Sequence, residues 1–154
     1  MFLRAATRRL FGRGQQEARD TPRAMSQENV RIVRRGFAAF EGGDLDRLRE
    51  LVTDDLIVYR AEPDGATSHG LDGFLQLTAE WTEGFRDWTP VPEEFTAVGK
   101  RVLVRVRQSA QGRASGVPIA EDFWFVFEFR GARVARMSIY AHEAQALEAA
   151  GLPE

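Results

Sequence analysis

The sequence predicts an α+β protein built on a mainly antiparallel, strongly bent sheet. Three observations carry that expectation. Apolar residues recur at helical spacing between Met25 and Leu51, the period changes to two after Pro90, and turn-forming residues separate the alternating stretches. The predicted order is α-α-β-α-β-β-β-β, closed by a short helix.

Each element has a local reason. Ser26 is expected to cap the first helix, because its hydroxyl can accept from free N–H groups of the first turn, and Glu28 suits the positive end of the helix dipole. Val30, Val33, Phe37 and Phe40 then form one apolar stripe, while Arg31, Arg34, Arg35 and Glu41 fall on other faces. Gly42-Gly43 stops this helix, and Asp44 caps a second one that places Leu45, Leu48 and Leu51 on one side. After a break at Thr53-Asp54-Asp55, a first strand runs through Tyr59. A third helix is predicted from about Asp72 to Asp87, on the stripe Leu71, Phe74, Thr78, Trp81, Phe85 and Trp88.

Beyond Pro90 the chain reads as strands. Gly99-Lys100 is a hairpin turn, and Val102, Val104 and Val106 alternate with Leu103, Arg105 and Arg107. Gln111 to Pro118 is a loop. Phe123, Phe125, Phe127 and Phe129 occupy one face of the most apolar strand, with Asp122, Trp124, Val126 and Glu128 on the other. Both faces carry aromatics, so both are expected to be covered, one by the helices and one by a second subunit in a homodimer. Arg130-Gly131-Ala132 turns into a last strand, Arg133 to Tyr140, and a helix from about Glu143 closes at Gly151.

Composition bounds the function. At 154 residues and 44% hydrophobic, one domain with a single core is expected. No apolar run approaches the roughly 20 residues that span a bilayer, so no stable membrane association is expected. The absence of cysteine excludes disulfides, a thiolate nucleophile and a thiolate zinc site, and fits a cytoplasmic setting. Residues 1–24 carry six arginines against Glu17 and Asp20, which leaves an acidic body and argues against nucleic acid as a partner. That segment reads either as a disordered extension ahead of a start at Met25 or as a short amphipathic, Arg-rich helix of the targeting kind.

The run from Met25 to Tyr59, with Gly43-Asp44-Leu45-Asp46 at its centre, resembles the opening of the SnoaL-like proteins of the ketosteroid isomerase and nuclear transport factor 2-like superfamily. His69-Gly70, the Gly99 turn, Ser115-Gly116-Val117-Pro118 and Glu148-Ala149-Ala150-Gly151-Leu152 extend the resemblance over about residues 25–152. It implies a cone-shaped, strongly curved sheet wrapped by three to four helices around a pocket. The pocket would take a small hydrophobic molecule, without a cofactor. These motifs are caps and turns, so they speak for fold and not for chemistry. The family's activities include isomerisation, aldol cyclisation, dehydration and epoxide hydrolysis, and a non-catalytic binding or association module stands as the alternative. In ketosteroid isomerases an Asp base works beside a Tyr and a protonated Asp. Counting from the shared anchor, the Tyr position falls on Gly36 and the base near Arg60, which disfavours that reaction here.

Candidate catalytic residues are Glu62, His142 and Tyr59. Glu62 and Arg60 lie two apart, on one side of an extended strand, and could form a base, a clamp for a substrate carboxylate, or a rim salt bridge. His142 follows the last strand, where a near-neutral imidazole could carry a proton. Tyr59 and Tyr140 are either phenolic donors into a pocket or core aromatics. Asp122 reads as a solvated strand end or as an acid against apolar walls, and His69 as a turn residue. The pocket walls are expected from Arg60, Trp81, Phe85, Phe123, Phe125, Phe127 and Tyr140. The two histidines lie too far apart in sequence to suggest a metal site.

Overall fold

The computed structural model describes residues 23–152; the expectations for the extension before residue 23 lie outside the described residues. Four helices pack with a six-stranded, open, mixed sheet. They are α1 (23–41), α2 (Leu45–Leu51), α3 (Gly70–Thr82) and α4 (Glu143–Ala150). The strands are β1 (Val52–Arg60), β2 (Ala66–His69), β3 (Phe85–Val98), β4 (Arg101–Gly112), β5 (Pro118–Arg130) and β6 (Arg133–Tyr140). Their spatial order is β2-β1-β6-β5-β4-β3, and only β1 and β6 run parallel. This is the cone-shaped α+β architecture that the sequence predicts.

Several local expectations hold for stated reasons. The Asp44 carboxylate accepts from the Arg47 N–H at 3.1 Å, which opens α2. Gly99 turns β3 into β4 at φ 57°, a conformation that costs glycine little. Val102, Val104 and Val106 are completely buried and lie beside Phe127, Phe125 and Phe123 of the neighbouring strand, on the same inner face of the sheet. Phe37 of α1 stacks on Phe125 and meets Phe127 edge-on, both at 6.1 Å.

Other expectations are corrected. Ser26 does not cap α1, because the helix already runs through residue 23; its hydroxyl instead donates to the Gly99 carbonyl at 3.3 Å. Thr53-Asp54-Asp55 is not a break but the irregular start of β1, where the pairing with β6 shifts register. His69 ends an additional short strand, β2, which pairs with β1. The helical stripe in α3 stops at Thr82, so Phe85 and Trp88 belong to β3. An aromatic spacing of three to four cannot by itself distinguish a helix from a helix followed by a strand.

The sheet's outer side also differs. Leu103 and Val126 are covered by α4 of the same chain, through Ala146 and Ala150. Beside that patch the outer side is charged: Arg105 reaches Glu93 at 2.8 Å, and Asp122 reaches Arg107 at 3.1 Å and Arg105 at 3.5 Å. Asp122 is therefore a paired, outward strand residue. No helix among the described residues is long and apolar enough to cross a membrane.

Candidate functional site

Strand direction decides where the polar groups meet. β1, β6 and β4 finish, and β5 and β3 begin, at the same end of the sheet. In β6 the pairing shifts by one residue between Phe129–Val134 and Glu128–Arg136, so Ala135 bulges. The bulge changes parity and lets Val134, Met137 and Ile139 all face inward. Between this concave side and the helices α1, α2 and α3 lies a cavity of about 130 Å³. Toward the opposite end of the strands it is lined by Val52, Phe127 and Val134, with Leu48 and Leu51 of α2, and its helical wall is lined by residues such as Phe37, Phe40, Phe74 and Trp81.

Arg60, Glu62 and Gln108 line the cavity at the strand-end side, and Arg60 and Glu62 are its only ionisable lining residues among those described. Arg60 ends β1 with a side chain only 16% exposed. Its Nε is completely buried and has no hydrogen-bond partner among the described residues. Its ionic contact is with Asp64, at 3.5 Å, and that carboxylate is largely in solvent. The Arg60–Glu62 salt bridge considered from sequence does not form. Glu62 lies past the end of β1 and turns to His142, with 4.0 Å between Oε1 and Nε2.

Gln108 was not singled out by sequence reasoning, although the alternation Val102, Val104, Val106 reaches it two residues later. Its Oε1 accepts from the indole N–H of Trp88 at 2.9 Å and of Trp81 at 3.2 Å. An indole can only donate, so both contacts require oxygen at that position and leave the amide NH₂ as a donor on the other side. Thr78 also lines the cavity, but its hydroxyl donates to the Phe74 carbonyl at 2.9 Å.

Of the residues expected to form the site, Arg60, Glu62, Trp81, Phe123, Phe125 and Phe127 line the cavity. Tyr59, Tyr140 and Phe85 do not. Tyr59 and Tyr140 meet each other at 6.4 Å, and strand parity sends them to the outer side, opposite Arg60 and Ile139. Phe85 is in β3 and tilts against Trp81 at 6.5 Å. His142 stands beyond the lining, its side chain 68% exposed, at the start of α4. Gly36, the position reached by counting from the Gly43-Asp44-Leu45-Asp46 anchor, lines the helical wall. A Cβ placed there would meet nothing within 4 Å. Among the described residues, no group of three or more His, Cys, Asp or Glu side chains could hold a metal ion.

The SnoaL-like domain model matches residues 33–137. The chain belongs to the SnoaL-like domain family. An NTF2-like protein of unknown function from Burkholderia pseudomallei is 21% identical, with a TM-score of 0.65 over 79% of this chain and 95% of that one. A candidate SnoaL-like polyketide cyclase from Jannaschia sp. CCS1 is 22% identical, with a TM-score of 0.65 over 83% and 94%. An NTF2-like protein from Burkholderia xenovorans LB400 is 26% identical, with a TM-score of 0.64 over 80% and 96%. No curated protein matches the chain.

Proposed function

We propose that this SnoaL-like protein binds a small, mostly apolar organic molecule in the cavity and transfers a proton on it without a cofactor, with Glu62 as the base. The observation that carries this reading is the confinement of the ionisable lining to Arg60 and Glu62 at one end of an otherwise apolar enclosure. An apolar body gains about 0.8 kcal/mol per buried CH₂, while its reactive oxygen stays beside the polar end. Glu62 is 44% exposed, and His142 next to it can pass the proton to water. Steroid-type isomerisation does not suit these walls, because Gly36 offers no phenol and Arg60 no carboxylate. Likeness to a candidate polyketide cyclase supports cyclisation as the reaction class. The homodimer expected from sequence rests on an apolar face around Trp124 and Val126, which α4 of the same chain packs against.

The test begins with native mass spectrometry of small molecules that co-purify with the full chain. The compound found is then assayed with wild type and Glu62→Gln. A lost general base costs about 10²–10⁴ in rate, so the variant should bind within about threefold of wild type and turn over at least about 100-fold more slowly. Unchanged turnover would remove Glu62 from the role. Binding without turnover by wild type would favour the non-catalytic module.

A further inference from the structure

We propose that the ligand of this cavity carries an anionic oxygen, a carboxylate or an ionised enol or phenol, that seats on the Arg60 guanidinium. The inference rests on the reading of the cavity as a small-molecule site and names the chemistry of its occupant.

Four observations lead to it. Arg60 lines the cavity and its side chain is 16% exposed. Its Nε–H is fully enclosed and has no partner among the described residues, although buried donors are nearly always satisfied. Asp64 is 64% exposed and stands 3.5 Å from one terminal nitrogen, so water screens it and it leaves Nε untouched. Glu62, the other ionisable lining residue, is 44% exposed and has its ionic contact with His142 rather than with Arg60. Inside the enclosure the field of Arg60 therefore dominates, because charges act more strongly where water is excluded.

A planar guanidinium offers paired N–H donors that match two oxygens of a carboxylate or of an ionised 1,3-dicarbonyl. Such a ligand would place its oxygens on the guanidinium, drawing the side chain toward a partner that its Nε–H lacks, with its apolar remainder against Phe123, Phe125 and Ile139. Trp81 and Trp88 hold the Gln108 amide in one orientation, so its NH₂ group is ready for a second oxygen at the same end of the sheet.

Benzoate, benzamide and toluene test this, with affinities measured on the full chain by ligand-observed NMR. An engineered apolar cavity of about 150 Å³ holds benzene, so single rings suit a cavity of about 130 Å³. Benzoate should bind at least about tenfold more tightly than benzamide in wild type. Arg60→Met should erase that preference and leave toluene within about twofold. Arg60→Lys, which keeps the charge but lacks the Nε–H, should retain only part of it. Equal binding of benzoate and benzamide to wild type would overturn the inference, as would a preference that survives Arg60→Met. If toluene binds while benzoate shows no preference, only the anion assignment fails; if no probe binds, the small-molecule reading fails with it.

Discussion

Gly36 separates stability from function in a measurable way. It sits within α1, where a glycine costs about 0.5–1 kcal/mol relative to alanine through lost backbone entropy. An added Cβ would meet nothing within 4 Å, so no clash offsets that gain. Gly36→Ala should therefore stabilise the protein by about 0.5–1 kcal/mol, raising the melting temperature by roughly 1–4 °C for a domain of this size. The side chain would point into space that belongs to the cavity. Gly36→Phe should then fill that space and weaken binding of toluene at least about tenfold while the protein stays folded. Thermal melts followed by circular dichroism, paired with probe titration, measure both effects. A melting temperature lowered by Gly36→Ala would refute the argument that the helix carries this glycine for room. So would undiminished toluene binding to folded Gly36→Phe.

Two further perturbations test the surroundings of the site. Gln108→Leu removes the one acceptor shared by the Trp81 and Trp88 indoles; the two stranded donors should cost about 2 kcal/mol, whereas Gln108→Glu keeps the acceptor and should cost less, as chemical denaturation would show. The Asp55 carboxylate accepts two hydrogen bonds from Arg130, at 3.0 and 3.1 Å, and these hold its pKa below the ordinary value of 3.8. A depressed carboxylate stabilises the fold above the unfolded pKa and loses that contribution as pH falls through the folded one. The melting-temperature gap between wild type and Asp55→Asn should thus be constant from pH 5 to 7 and shrink below about pH 4; a gap that widens in acid would contradict the pairing.

The sequence made the helices and the long strands legible because each has a period of its own. Asp44, Gly99 and Gly151 are punctuation that works locally, and all three act as expected. What escaped was set by distant partners. Ser26 looks like a cap only if the helix begins there, and the residues before it decide otherwise. Phe85 and Trp88 continue a helical spacing by coincidence, while the pairing of Phe85 with Gly112, Arg86 with Gln111 and Thr89 with Ser109 draws this stretch into β3. Half of the candidate site followed from strand parity, which sent Arg60 and the Phe123 to Phe127 row inward. Parity also excludes Tyr59 and Tyr140, a consequence already contained in the assignment of Arg60 to the inner side. Gln108 was missed because its role depends on two indoles from α3 and β3 that no sequence spacing relates to it.

The same geometry explains why the family gives a fold so readily and a reaction so reluctantly. The enclosure is made by alternating valines and phenylalanines, the Ala135 bulge and the aromatic faces of α1 and α3, all of which serve packing whatever the ligand. Chemistry enters through a few side chains where strands end, and those positions carry little of the core. Arg60 shows the consequence. Its backbone is held in register by Ala66 of β2 and Ile139 of β6, so the position would remain in place with another side chain. An acid there would present a base to the cavity; the guanidinium presents donors and a positive charge instead. Gly36 acts in the opposite sense, by withholding a side chain from the facing wall. In the reading proposed above, together they turn an inherited enclosure toward oxygen anions, with Glu62 as the proposed base.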